Sequence, residues 1–388
     1  MVIVNARIIP IDGATVENGF VCVADGKITQ ICAMPYTGND TDCFDAKGGW
    51  LLPGFVDAHS HLGMWEDGLG FEGDDGNEDT DPSTPHMRAI DAINPFDRCF
   101  AEAAAGGVTT VLTGPGSANP IGGQMCMMKT VGRSVDSMVL KAPAAMKMSL
   151  GENPKTTYHG KNQAPVTRMA TAAIIRENLA VAERYLRSKN AALDDDETDE
   201  PDFDSKCEAL IPVIEGKLSV HFHAHRLDDI LTALRISEEF ALDCVIVHGT
   251  QAHVAADIMN EKNVRILCGP LLCDRSKPEL RDLTPASPAI LHAAGVSTAI
   301  ITDHPVIPEQ YINICAGLAV REGMPYDAAL RAITLSPAEI CGVADRIGSI
   351  TQGKDADLVL FADDPLLLSS KPLAVWINGE RVERNERN

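Results

Sequence analysis

The chain has 388 residues and carries 33 Lys and Arg against 55 Asp and Glu, a formal net charge of −22. That balance repels polyanions, so neither nucleic acid nor an anionic membrane face is an expected partner. Hydrophobic residues make up 45%, enough for a well-buried core, yet no apolar run approaches the length of a membrane span.

The N-terminal MVIVNARIIPIDG and GFVCVADGKITQICAM read as short strands joined by Gly/Asp turns. The texture then changes to strands alternating with helical stretches. Candidate strands are LLPGFVDAH, GVTTVLTG, AAMKMSL, KLSVHFH, CVIVHG, VRILCG and VSTAIITD, with QMCMMKT as an eighth. Helical periodicity is clear in RMATAAIIRENLAVAERYL, through Ile175, Leu179 and Ala182. It recurs in RLDDILTALRISEEFAL, through Leu227, Ile230, Leu231 and Leu234. The β-rich texture returns in DADLVLFADDPL and PLAVWINGERVER.

Alternation of this kind predicts an α/β protein, a (β/α)8 TIM-type barrel over residues 52–345. Residues 1–51 and 346–388 are expected to form one small β-sandwich from both chain ends. Two acidic stretches, 65–85 after the first barrel strand and 193–205, read as solvated loops; the first has the position of a lid.

Eleven cysteines are scattered, odd in number and without a CxxC pair, and no Lys/Arg-led apolar leader precedes the first strand. Reduced thiols in a cytoplasmic protein are the expectation.

In FVDAHSHLG, His59 and His61 lie two apart, so on a strand they share a face about 7 Å apart. Buried rings of that kind need partners. His223 ends VHFH, His248 ends CVIVH and Asp303 ends STAIITD. In a barrel these strand ends converge. The five groups are N and O ligands suited to zinc or a similar divalent ion, one or two per chain. Each alone is more commonly a hydrogen-bonded residue or a helix cap; the combination points to a metal. His86, His159, His253 and His292 fall elsewhere and read as surface or packing residues. Arg226 and Arg168 are candidates to bind a substrate carboxylate, or else ion pairs with nearby acids. Asn153 and the Gly-rich 115–123 segment are candidates to line the pocket.

GFVDAHSH, HAHRLDDI, VHG and TDHP together resemble the amidohydrolase superfamily of metal-dependent hydrolases, in its imidazolonepropionase-like branch. TGPGSANPIGGQ and MSLGENPK resemble a subgroup of that branch whose substrate the likeness does not name. The resemblance spans nearly the whole chain, GSITQGKDADLVLF included. It implies that His59 and His61 bind a buried metal and that His223 and His248 serve a second position. Asp303 binds metal and acts as general base and acid; Asp303 and His248 are the residues placed in catalysis. His225 is left as a substrate contact or a donor behind the ligands.

Family members differ in what the fourth strand offers. Here either a carboxylated Lys147 or Glu152 is in place, with Lys147 favoured for its mid-strand position. The implied chemistry is a metal-activated hydroxide cleaving a C–N bond, an amide or cyclic amide, of a small molecule. Deamination of a heterocyclic amine is the alternative, and a catalytically silent scaffold the alternative outside enzymes. A homo-oligomer is expected.

Overall fold

The computed structural model describes residues 1–38, 41–195 and 197–383. Asp196 of the acidic 193–205 run and the last five residues of the C-terminal β segment lie outside the described residues. The architecture is mixed α/β, with two eight-stranded sheets.

The first sheet draws on both chain ends. Val2–Ile8 lies beside Val16–Ala24, which pairs in turn with Lys27–Ala33; on its other side it runs parallel to Trp50–Pro53, and it also pairs with Cys43–Asp45. Leu358–Phe361 closes antiparallel onto Trp50–Pro53, with Leu51 opposite Leu360, and carries Pro372–Ile377 and Glu380–Arg381 on its far side. Ile3, Ile8, Val21, Leu51, Leu358 and Trp376 form its buried face.

The second sheet is an almost closed barrel. Its strands run in chain order: Phe55–Ser60, Val108–Thr113, Ile121–Lys129, Val139–Ser149, Val220–Ala224, Cys244–His248, Arg265–Cys268 and Ser297–Ile300. The first and eighth are joined across the seam by one carboxylate. Asp57 accepts hydrogen bonds from the Thr302 backbone N–H (2.8 Å) and hydroxyl (2.6 Å) and from the His59 N–H (3.0 Å). Val56, Leu112, Met127, Val245, Val247 and Leu267 fill the interior, capped below by Ile340 and Val343.

One expectation is corrected. The third strand, the QMCMMKT run, is antiparallel to both neighbours, so the barrel is not eight repeats of one β/α unit. Only seven residues, 114–120, separate the second strand from the third. A parallel crossover needs a dozen or more, whereas an antiparallel return needs few. That short loop therefore ends at the barrel mouth, where a helix would have carried the chain away. The long helices elsewhere follow the periodicity: Arg168–Asp194 buries Ile175, Leu179 and Ala182, and Leu227–Glu239 buries Ile230 and Leu234.

A buried ion cluster ties the sheets together. Lys129, from the third strand, meets Asp355 at 3.1 Å and also pairs with Asp357, while Lys27 and Arg346 reach Asp355 from its other sides. Burial tends to raise the Asp355 carboxyl, but the Lys129 charge and the bonds from Lys27 and Lys129 hold it below its ordinary 3.8. A depressed carboxyl stabilises fully above its unfolded value and loses that contribution as pH falls through the folded one. Asp355→Asn is accordingly expected to cost about 3 kcal/mol at neutral pH, as for one broken member of a buried pair. Thermal melts of variant and wild type converge as pH drops below about 4; an unchanged gap there contradicts the assignment.

Candidate metal centre

The strand ends deliver their polar groups to one cavity of about 780 Å³, lined by His61, His223, His225, His248, Asp303 and Lys277 among others. Two sets of ligand-type atoms gather there, His59 with His61 and Asp303, and His223 with His225 and His248. In each set the atoms lie within 4.8 Å of one another. Asp303 Oδ1 stands 3.3 Å from His59 Nε2 and 3.5 Å from His61 Nε2. The rings of His59 and His248 are 5.5 Å apart between centroids, which brings the two sets side by side.

Backbone shape contributes. Val245 and Val247 point into the barrel, so plain alternation would turn His248 outward; its left-handed φ of +72° carries the ring back to the mouth. Asp303 is also left-handed, at +57°. Such conformations are costly outside glycine and concentrate at functional sites.

The rings are set up to donate electron pairs. His61 Nδ1 lies 2.7 Å from the Gly114 carbonyl and His248 Nδ1 2.8 Å from the Gly269 carbonyl. A carbonyl only accepts, so Nδ1 carries the proton and Nε2 keeps its lone pair toward the cavity. His225 Nδ1 is held 2.7 Å from the Thr250 hydroxyl. Burial, with the Lys147 charge second, pushes His59 well below the imidazole range. Burial, then the charge on His248, does the same to His223 and His225, and His248 falls to about 4 chiefly through burial. Burial works to raise Asp303, but the His248 charge and the bonds from His59 and His61 outweigh it and hold it ionised. Neutral imidazoles facing one carboxylate are a donor set that fits a divalent metal.

The remaining candidates divide. Lys147 is fully buried with Nζ 3.2 Å from His59 Nε2, and burial draws its ammonium down to about 7. Glu152 lines the cavity from the first turn of the helix Glu152–His159. Asn153 lies in the same turn; it donates to Ser117 Oγ at 2.7 Å and approaches His223 Nε2 at 3.5 Å. The two arginines do not reach the cavity: Arg226 is paired with Asp228, and Arg168 with Asp229 at 3.0 Å. Gly116 and Ser117 of the Gly-rich loop do line it, as do Trp65 and Asn77 of the acidic insertion. That insertion is pinned to the loop through Gly116 N–H to Gly76 O (2.8 Å) and Ala118 N–H to Asn77 Oδ1 (3.0 Å), so it is a wall of the pocket.

Sequence reasoning missed Glu279 and Lys277, in the connection after the seventh strand. Glu279 is buried beside His223 and His225. Asp57 was also missed, although its place two residues before His59 was visible.

A β/α barrel whose strand ends bring two sets of groups able to hold a metal ion to one pocket defines a class of barrel proteins with a candidate metal centre. A model of the Amidohydrolase family matches residues 204–382. A solved amidohydrolase from Thermotoga maritima is 42% identical, with 99% of each chain covered and a TM-score of 0.94. The chain belongs to the amidohydrolase family. It is 32% identical to amidohydrolase tasK of Hapsidospora irregularis over 94% of this chain, and 24% identical to an adenine deaminase of Listeria monocytogenes over 99% of it. The chain spans 39% and 57% of the length of those two relatives. An imidazolonepropionase of Streptomyces griseus is 26% identical, with 96% of this chain and 92% of the relative covered. Among the described residues no helix is long and apolar enough to cross a membrane.

Proposed function

We propose that the chain is a metal-dependent hydrolase that cleaves a C–N bond, in an amide or cyclic amide, of a small molecule. The observation that carries this reading is the convergence of His61 and Asp303, with the buried His59 next to them, beside His223 and His248 at one cavity. These residues would hold the metal, and zinc foremost, since imidazole and carboxylate donors suit it. When bound, such an ion activates water for attack at neutral pH and polarises the group attacked.

The chain's own part is proton management and placement. Asp303, ionised and next to both first-strand histidines, takes a proton from the attacking water and returns it to the leaving nitrogen. His248 orients the reacting group from the opposite side. Lys147, carboxylated, is read as the fourth-strand ligand in preference to Glu152, because its Nζ is already 3.2 Å from His59 Nε2. Asn153 faces the substrate, and His225 stands beside His223 and His248. The reading includes residues 52–345 as the catalytic barrel, residues 1–51 with 346–388 as a sandwich-like second unit, a homo-oligomer and a cytoplasmic location.

Deamination is kept as a second reading because the Listeria relative named adenine deaminase aligns over 99% of this chain. One panel separates the two: N-acyl amino acids, dipeptides and hydantoins against aminated heterocycles, with ammonia release measured, alongside elemental analysis per chain. Ring-amine substrates releasing ammonia would replace amide cleavage by deamination. Bound metal with no turnover of any member favours the silent scaffold, and a metal-free protein overturns the proposal.

A further inference from the structure

We infer that the outer metal position is completed by His225 and Glu279, forming with His223 and His248 a set of four that needs no ligand from the fourth strand. The inference rests on the metal-dependent reading above and concerns only which residues make its second position.

The distances come first. Ligand atoms of His223, His225 and His248 lie within 4.8 Å of one another. Glu279 Oε1 joins them, 3.8 Å from His223 Nε2 and 3.6 Å from His225 Nε2. Donors at about 2.0–2.1 Å from one tetrahedral ion stand about 3.4 Å apart, so the carboxylate needs to close by only a few tenths of an ångström, and the imidazoles by more. His225 and His248 are stacked, with ring centroids 4.4 Å apart and planes 11° from parallel, so one ring must tilt for both lone pairs to meet at a single ion.

The carboxylate supplies an independent observation. Glu279 is 1% exposed, and its Oε1 faces His223 and His225 with a lysine ammonium as its charged partner. Its other oxygen is fixed by the Glu152 N–H at 3.1 Å. Gly151 leaves room for that approach: at φ +92°, a Cβ there would come to 3.1 Å from Glu279 Oε2. Among the described residues the lysine cation against Oε1 is the Lys277 ammonium, at 2.7 Å, on a side chain that is 30% exposed and shared with Asn153 Oδ1. A buried charge needs a counter-charge. A partly exposed, flexible ammonium fills that need in the structure and can swing into the cavity when a divalent ion arrives. Three neutral imidazoles and one carboxylate leave such an ion a net single positive charge. Lys147, by contrast, makes its polar contact with His59, in the other set.

The test is zinc content by elemental analysis on the full chain, with cobalt(II) absorption as a second readout of coordination. Wild type should bind two ions. Glu279→Gln keeps the shape and removes the charge; it should weaken the second ion by at least the ten- to hundred-fold typical of losing even an outer partner. His225→Asn should do the same and substitutes for it should Glu279→Gln fail to fold. Lys277→Met, which removes the competing cation, should tighten the second ion, while Lys147→Met should leave it bound. Two ions held with wild-type affinity in both Glu279→Gln and His225→Asn overturn the inference, as does loss of the outer ion in Lys147→Met. A wild-type chain that binds one ion, lost with His59→Asn and insensitive to Glu279→Gln, also overturns it and leaves a single-metal hydrolase standing. No metal in any form ends both readings.

Discussion

Asp303→Asn should fold, keep its metal and lose between two and four orders of magnitude in kcat, the usual contribution of a positioned acid–base group. Asp303 sits at φ +57°, where asparagine is tolerated about as well as aspartate, whereas alanine would add roughly 1–2 kcal/mol of local strain. The Asn variant thus isolates the loss of charge and proton capacity from a change of shape. Its Oδ1 can still face His59 and His61, which lie 3.3 and 3.5 Å from the native carboxylate. What it cannot do is take a proton from water and give it to a nitrogen. Turnover on whichever substrate the panel yields, metal content and a thermal melt are measured together. A variant with near-native kcat removes Asp303 from the chemistry; one that loses its metal makes Asp303 chiefly a ligand.

The reason these residues could be picked from the sequence is periodicity. His59 and His61 stand two apart after an apolar run, and His223, His248 and Asp303 each close one, so the barrel pattern brought them to one end, with the family resemblance choosing His223 over His225. Where that pattern lapsed, reading failed. The direction of the third strand depends on loop length: 114–120 is too short for a crossover, a signal available in the spacing but hidden by a strand list that assumed uniform repeats. Glu279 lies in SKPEL, a polar segment between strand and helix that looks like any solvated connection; only the folded chain shows it buried against two histidines. The arginines failed for a local reason. Arg226 precedes Asp228 and Asp229 in RLDD, and those two carboxylates capture Arg226 and Arg168 before either can turn to a substrate. For Arg226 that acidic run was the available warning; Arg168 has no acid within three residues and meets Asp229 only in the folded chain.

Stripping the metal should abolish turnover and lower the melting temperature by about 5 °C or more, with both restored by zinc. The stability effect follows from what the ligands do without an ion. Several buried imidazoles then face one another and a carboxylate with unshared lone pairs. Each such buried group left unmatched costs about 1–3 kcal/mol. An ion that binds only the folded chain contributes about 4 kcal/mol when present at a thousandfold excess over Kd, and in a large domain each kcal/mol moves Tm by a degree or two at most. Asp355→Asn offers an internal control. Its ion cluster joins the terminal sheet to the third barrel strand through Lys129 and includes none of the candidate ligands, so its loss should add to that of the metal. Zinc should therefore raise Tm by the same increment in variant and wild type. A zinc-dependent rise that vanishes in Asp355→Asn would mean that the ion acts on the whole fold through the sheet junction. A stripped chain that still turns over its substrate would remove the metal from the mechanism.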